Sequence, residues 1–193
     1  GPPYHFMSRV TEIDGPINEF KAGRNIEIAY DIPAGEWYFD ENGCGTMPFA
    51  VLLEAALQPC GWLASAVGSA LTVEDELSFR NLDGTGTLHK ELLRDAGTMR
   101  TQVKITNISK SAGMIIEGFD VNCYLNDDVD PVYTLKTVFG FFPLAAFENQ
   151  AGLPTSDAQR DLLTRVDPSG EPLLVDMTTR PEKYCGGSPR LAR

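Results

Sequence analysis

A chain of 193 residues, 42% hydrophobic and 22% charged, has enough material for one domain with a core, followed by a tail. Sixteen Lys+Arg against 27 Asp+Glu leave a formal charge of −11, and a surface of that sign repels phosphate backbones and argues against a nucleic-acid binder. The same ordinary composition excludes collagen-like, low-complexity and wholly disordered chains.

Residues 4 to about 34 carry two strand-like stretches. In the second, Ile26, Ile28, Tyr30 and Ile32 alternate with Asn25, Glu27, Ala29 and Asp31, the period of a strand with one buried face. Pro33-Ala34-Gly35 ends it, and a loop is expected through Trp37-Tyr38-Phe39 to Gly45. From Met47 to Val73 there is a single charged residue, Glu54, in 27. Thr46 is the expected helix N-cap and Pro48 lies in the first turn, where its missing N–H costs little. Phe49 to Leu57 is apolar on nearly every side, which predicts an enclosed helix, kinked or ended near Pro59 and Gly61.

The uncharged run from Ala55 to Val73 has the length of a membrane span. Gln58, Pro59, Ser65, Ser69 and Thr72 within it, and the lack of a basic flank, favour a buried helix instead. Leu77 to Phe142 reads as antiparallel β structure. Met99, Val103 and Ile105 share one face; a turn is expected at Ser109-Lys110-Ser111; then Ile115, Phe119, Val121, Cys123 and Leu125 share a face. Asn126-Asp127-Asp128 turns the chain again, and Tyr133, Leu135, Phe139 and Phe141 follow with period two. Long successive strands and one apolar helix predict an α+β fold, a curved antiparallel sheet wrapped around a long buried central helix: the hotdog arrangement. Residues 1–150 are assigned to this one domain. Residues 151–193, with five of the thirteen prolines, are assigned to a linker carrying one short helix from Ser156 to Val166, capped by Ser156.

Four cysteines without a CxxC pair, and only two histidines, give a zinc site few ligands; they read as reduced thiols of a cytoplasmic chain. Glu54 is the sharpest chemical candidate. A carboxyl on an apolar helix resists ionisation, and a neutral carboxylic acid can protonate a leaving hydroxyl. Its structural alternative is a Glu bonded to nearby backbone or lying at a subunit interface. The helix start at Gly43, Gly45, Met47 and Pro48 is the second candidate, since unpaired N–H groups there can polarise a thioester carbonyl. The bland alternative is a glycine-rich turn. His5, His89 and Cys60 read as structural or exposed, and Cys44 lacks an assignable histidine partner.

The aromatic triplet Trp37-Tyr38-Phe39 together with Met47-Pro48-Phe49-Ala50-Val51-Leu52-Leu53-Glu54-Ala55-Ala56-Leu57-Gln58-Pro59-Cys60-Gly61-Trp62 resembles the hotdog-fold β-hydroxyacyl-ACP dehydratases. The likeness is greatest to the dehydratase domains of bacterial polyunsaturated fatty acid synthases and related iterative polyketide synthases. Arg80-Asn81-Leu82-Asp83-Gly84 and Arg180-Pro181-Glu182-Lys183-Tyr184-Cys185-Gly186-Gly187 look like the same family.

The resemblance implies removal of water from a 3-hydroxyacyl thioester to give a trans-2-enoyl thioester. It puts the proton donor at Glu54 and substrate contacts at Gly45, Met47, Pro48 and Gln58. It implies no cofactor beyond the phosphopantetheine of an acyl carrier protein that delivers the substrate. The family's histidine base falls near Asn42, which cannot exchange a proton near neutral pH, in a loop about two residues shorter than in active members. The chain therefore looks like the histidine-lacking half of a pair. Gly187 to Arg193 resembles the entry into a following hotdog, so an excised piece is expected, one able to pair with itself. The implied partners are the carrier protein, docked on Lys90, Arg94, Arg100 and Lys104 unless these are merely a solvated strand face, and the adjacent hotdog domain. The alternatives are a non-catalytic pseudo-hotdog scaffold and, more weakly, a thioesterase-like hotdog whose helix acid activates water.

Overall fold

The computed structural model describes residues 4–40, 42, 45–74, 76–148, 152 and 155–165. The chain divides into two compact units, Gly1–Leu144 and Ala145–Arg193. In the first, six strands are β1 (Arg9–Ile13), β2 (Asn25–Asp31), β3 (Leu77–Leu88), β4 (Thr98–Ser111), β5 (Met114–Leu125) and β6 (Tyr133–Pro143). All pair antiparallel in one sheet ordered β1-β2-β4-β5-β6-β3. Two helices precede β3: a four-residue turn α1 (Trp37–Asp40) and the long α2 (Phe49–Ala66).

The predicted alternation is observed except at Ala29, which is expected on the outer face and is buried. Ile26, Ile28, Tyr30 and Ile32 are buried with Met99, Val103, Ile105, Phe119, Val121 and Cys123 on the face that packs against α2. Register irregularities between Val10 and Glu12, Asn81 and Asp83, and Ile105 and Asn107 interrupt three ladders. Such bulges bend strands and increase twist, which curves a long sheet around a helix.

Five local expectations are corrected. The turn expected at Ser109–Ser111 comes later, because Ala112 and Gly113 take the left-handed conformation and β4 runs on to Ser111. The segment Trp37–Phe39 is a helical turn rather than a loop; Arg94 pins it, bonding Asp40 at 2.7 Å and the Ala34 carbonyl at 3.1 Å while lying over the Phe39 ring. Thr46 is not the N-cap: it forms a β-bridge with Leu93, and Pro48 occupies the cap position with no side-chain bond. Neither Pro59 nor Gly61 stops α2, which runs unbroken through both, with Pro59 among its buried residues.

The fifth concerns burial. Val51, Leu52, Ala55, Ala56, Cys60, Leu63 and Ala64 form a buried face, but Leu53, Glu54, Leu57, Gln58, Gly61 and Trp62 lie half-exposed, and Phe49 is 53% exposed. The helix is covered on one side only. Phe49–Thr72 is long and apolar enough to cross a membrane by length and composition, yet its inner side packs into the sheet as a core helix does.

In the second unit, α3 (Asp157–Thr164) starts where predicted. The Ser156 hydroxyl accepts from the Gln159 amide and the Gln159 side chain accepts from the Ser156 amide, a reciprocal capping box.

Candidate functional site

Glu54 lies on the half-exposed face of α2, in the second turn of the helix. Gln58, one turn on, donates from Nε2 to Glu54 Oε1 at 3.1 Å. The same amide grips the N-terminal segment: Nε2 donates to the Tyr4 carbonyl at 3.3 Å, and Oε1 accepts from the Phe6 amide at 2.9 Å. The segment is itself anchored by aromatic contacts, Phe6 with Tyr30 and Tyr38, and Tyr4 with Trp37. Gln58, expected at the substrate, has both its donors and its acceptor engaged within the protein, and it fixes the carboxyl of Glu54.

The helix start differs from expectation in its donors. Met47 is buried and its amide donates to the Leu92 carbonyl at 2.8 Å; Pro48 has no N–H, and its carbonyl accepts from Val51 and Leu52. The first-turn amides of Phe49 and Ala50 are left without an acceptor inside the helix, so they are the pair able to polarise a carbonyl. Gly45 is exposed, and Gly43 and Cys44 lie outside the described residues. Asn42 is exposed, and its amide donates to the Thr46 carbonyl at 3.3 Å. The segments 180–187 and 187–193, which contribute to the resemblance, also lie outside the described residues.

His5 is exposed, in the segment held by Gln58, and His89 follows β3 with Nε2 3.0 Å from the Thr134 hydroxyl. Of the four basic residues considered for docking, Lys90 and Arg100 both reach Asp128, and three are engaged in ion pairs. Lys90 pairs with Asp128, Arg94 with Asp40 and Arg100 with Glu27, while Lys104 lies on the outer face of the sheet beside Asp14, Glu27 and Asp120. Cys60 and Cys123 are buried thiols; burial pushes Cys123 up to about 12, so neither is a nucleophile at neutral pH. Among the described residues no group of His, Cys, Asp and Glu side chains could hold a metal ion.

The helix that carries Glu54 also meets an edge strand. β3 is an edge of the sheet. Its Phe79 lies against Gly61 of α2, where an added Cβ would meet the ring at 3.4 Å, and stacks on Phe139 with centroids 4.7 Å apart. Further along, Phe49 meets the Tyr133 ring edge-on at 5.9 Å, and Tyr133 pairs with Leu88 of β3. Glu54 is thus held through Gln58 beside the N-terminal segment, while edge strand β3 meets the same helix near Gly61.

Two buried polar groups were not singled out by the sequence. Arg24 is enclosed and bonds Asp14, the Pro16 carbonyl and Glu19, closing the turn between β1 and β2. Glu117 is enclosed on the inner face of β5, and burial raises its affinity for a proton. A signal for Glu117 existed, since period two places it on the same face as Ile115 and Phe119.

No family model matches the chain. It is 35% identical over 127 residues to a polyunsaturated fatty acid synthase subunit of Thraustochytrium sp., an alignment that takes in 64% of this chain and 8% of that protein. The chain thus spans a small fraction of that curated relative. Among solved structures, it is similar to the thioesterase-type protein yhdA from Lactococcus lactis, with a TM-score of 0.50 at 10% identity over 70% of this chain and 94% of the other. It is also similar to the protein SAV0944 from Staphylococcus aureus, with a TM-score of 0.48 at 11% identity over 69% and 93%. Likeness at so low an identity speaks for fold alone. The chain is a hotdog-fold domain whose sequence relationship runs to a polyunsaturated fatty acid synthase.

Proposed function

We propose that this domain is the acid-bearing half of a 3-hydroxyacyl thioester dehydratase of fatty acid or polyketide synthesis, working in the cytoplasm. Its partners are an adjacent hotdog domain, which supplies the histidine, and an acyl carrier protein. The observation that carries the reading is the placement of Glu54, held by Gln58 on the half-exposed face of an apolar helix, in a unit whose sheet ends in the edge strand β3. A second domain adding strands at β3 would cover that face, enclose the carboxyl and bring its own loop against α2.

In the reaction, a base on the partner removes the proton at C2 of the substrate. Negative charge develops on the thioester oxygen, where the amides of Phe49 and Ala50 stabilise it. Glu54 gives its proton to the hydroxyl leaving C3, so water departs and the C2–C3 double bond forms. The reaction is redox-neutral and needs no redox cofactor; the acyl group arrives on phosphopantetheine. Carrier docking on Lys90, Arg94, Arg100 and Lys104 would have to exchange the ion pairs that Lys90, Arg94 and Arg100 make within the domain.

One observation favours a second reading, a scaffold that stabilises an active neighbour. Asn42 stands where the base is expected, its amide is turned to the Thr46 carbonyl, and it has no proton to exchange. The two readings separate in a mass-spectrometric assay of enoyl thioester formation by the chain joined to a hotdog carrying the loop histidine: Glu54→Gln should abolish most of the activity if the site is composite and leave it unchanged if the chain is a scaffold. The chain should be inactive alone and active when joined to a hotdog carrying the loop histidine. Activity of the chain alone, or of neither protein, would overturn the composite site.

A further inference from the structure

The inner face of β5 is apolar from Ile115 to Leu125 apart from Glu117, which is 0% exposed. Its strand neighbours are Ile108 on β4 and Phe139 on β6. The Ser69 hydroxyl donates to Oε1, while Oε2 is buried without a hydrogen-bond partner. Ser69 opens a 3-10 turn, Ser69–Thr72, just beyond the C-terminal end of α2.

Besides the packing of Leu63, Ala64 and Val67 into the core, few other hydrogen bonds among the described residues tie that corner to the rest of the unit. The Asn18 amide donates to the Ala66 carbonyl at 2.8 Å, and the Asn18 side chain lies against Gly68, where an added Cβ would meet Asn18 Oδ1 at 3.2 Å and the positive φ disfavours any side chain. The remaining bonds of the turn, Leu71 amide to Gly68 carbonyl and Thr72 hydroxyl to Ser69 carbonyl, are internal. The bond from Ser69 to Glu117 therefore joins the corner to the middle of the sheet.

We propose that Glu117 is a proton-dependent latch: neutral, it fastens the end of α2 and its 3-10 turn to the sheet, and loss of its proton releases that corner. The chemistry follows from its surroundings. A buried carboxylate with one oxygen unbonded is poorly solvated, whereas the neutral acid is not. Burial raises the proton affinity, and the Ser69 bond opposes it without cancelling it. No charged group offsets the burden: β4 and β6 present Ile108 and Phe139, and the turn presents Ser69. The charges near it in chain or beside the corner are engaged elsewhere: Asp120 with Lys136, Lys110 over the Phe20 ring, and Glu19 with Lys21 and Arg24. Because the folded state binds this proton more tightly than the unfolded chain, whose carboxyl titrates near 4.5, the latch is complete below that value. Its contribution is lost as pH rises through the raised folded value.

Amide hydrogen exchange on the whole chain as a function of pH tests this. After correction for intrinsic chemistry, the amides of Asn18 and Leu71 should exchange faster as pH rises, by up to about tenfold per pH unit inside the window. In Glu117→Gln, which keeps the shape but cannot titrate, the corrected rates should be flat. Equal slopes in the two proteins would overturn the latch. Carboxyl 13C titration of the unsubstituted protein gives a measurement that needs no variant. Ionisation of Glu117 coincident with faster corner exchange supports the proposal, and ionisation at the ordinary value with the corner still protected refutes it.

Discussion

Gly86, on the edge strand, lies over the ring of Tyr133, and an alanine there puts the packing between them to a direct test. An added Cβ would overlap Tyr133 Oη and lie 2.7 Å from Cζ and 2.9 Å from Cε2. Tyr133 is 1% exposed, so the ring has no free space to retreat into; either it swings out or β3 moves. Overpacking of this kind costs about 1–3 kcal/mol. Losing the edge-on contact with Phe49 adds about 0.5–1.5 kcal/mol. Gly86→Ala should therefore destabilise the unit by roughly 2–4 kcal/mol, less a few tenths for the better strand propensity of alanine. In a domain of this size that lowers the melting midpoint by roughly 5–15 °C. Urea and thermal unfolding measure it, and a double-mutant cycle with Tyr133→Ala isolates the cause. With the ring removed, Gly86→Ala should cost less than about 0.5 kcal/mol. A neutral Gly86→Ala, or the same cost in both backgrounds, would refute the packing argument.

Two further outcomes are expected. In the chain joined to its partner hotdog, His5→Ala and His89→Ala should leave dehydration within about twofold, because neither supplies the base; a loss on the scale of general-base removal, about a hundredfold or more, would place the base on this chain. For Glu27, burial pushes the carboxyl up, but the bonds from Gln102 and Thr11 and the Arg100 guanidinium outweigh it and hold it below 4.5. A lowered folded value gives stability that is present above the unfolded value and lost as pH falls through the folded one. Glu27→Gln should thus flatten the acid limb of a stability-against-pH curve measured in urea, and an unchanged limb would contradict this.

Much of the architecture was legible because strand and helix periods differ. Alternation over Asn25–Asp31 and Met114–Leu125 located two strands and their buried faces, and the apolar stretch around Glu54 located the helix. What misled was the composition of that helix. Leu53, Leu57 and Trp62 look like core residues, yet they pack against the core only partly buried, a difference that apolar composition alone does not encode. Local geometry also outran pattern. The left-handed residues Ala112 and Gly113, rather than the polar Ser109–Ser111, made the hairpin turn, and the bridge from Thr46 to Leu93 displaced the cap to Pro48.

The candidate site was legible in kind but not in detail. Glu54 stood out by charge alone. That Gln58 serves the N-terminal segment and Glu54 together depends on contacts 52 and 54 residues apart in the chain, which no local spacing encodes. The buried pair Ser69 and Glu117 is likewise joined only by the fold, across 48 positions.

Single-turnover dehydration of a 3-hydroxyacyl pantetheine thioester by the domain joined to its histidine-bearing neighbour, with Glu54 or Gln at position 54, bears most directly on the assignment. Loss of the proton donor should slow water elimination by about 10²–10⁴-fold while the melting midpoint stays put, since position 54 is half-exposed. An undiminished rate in Glu54→Gln would contradict the account.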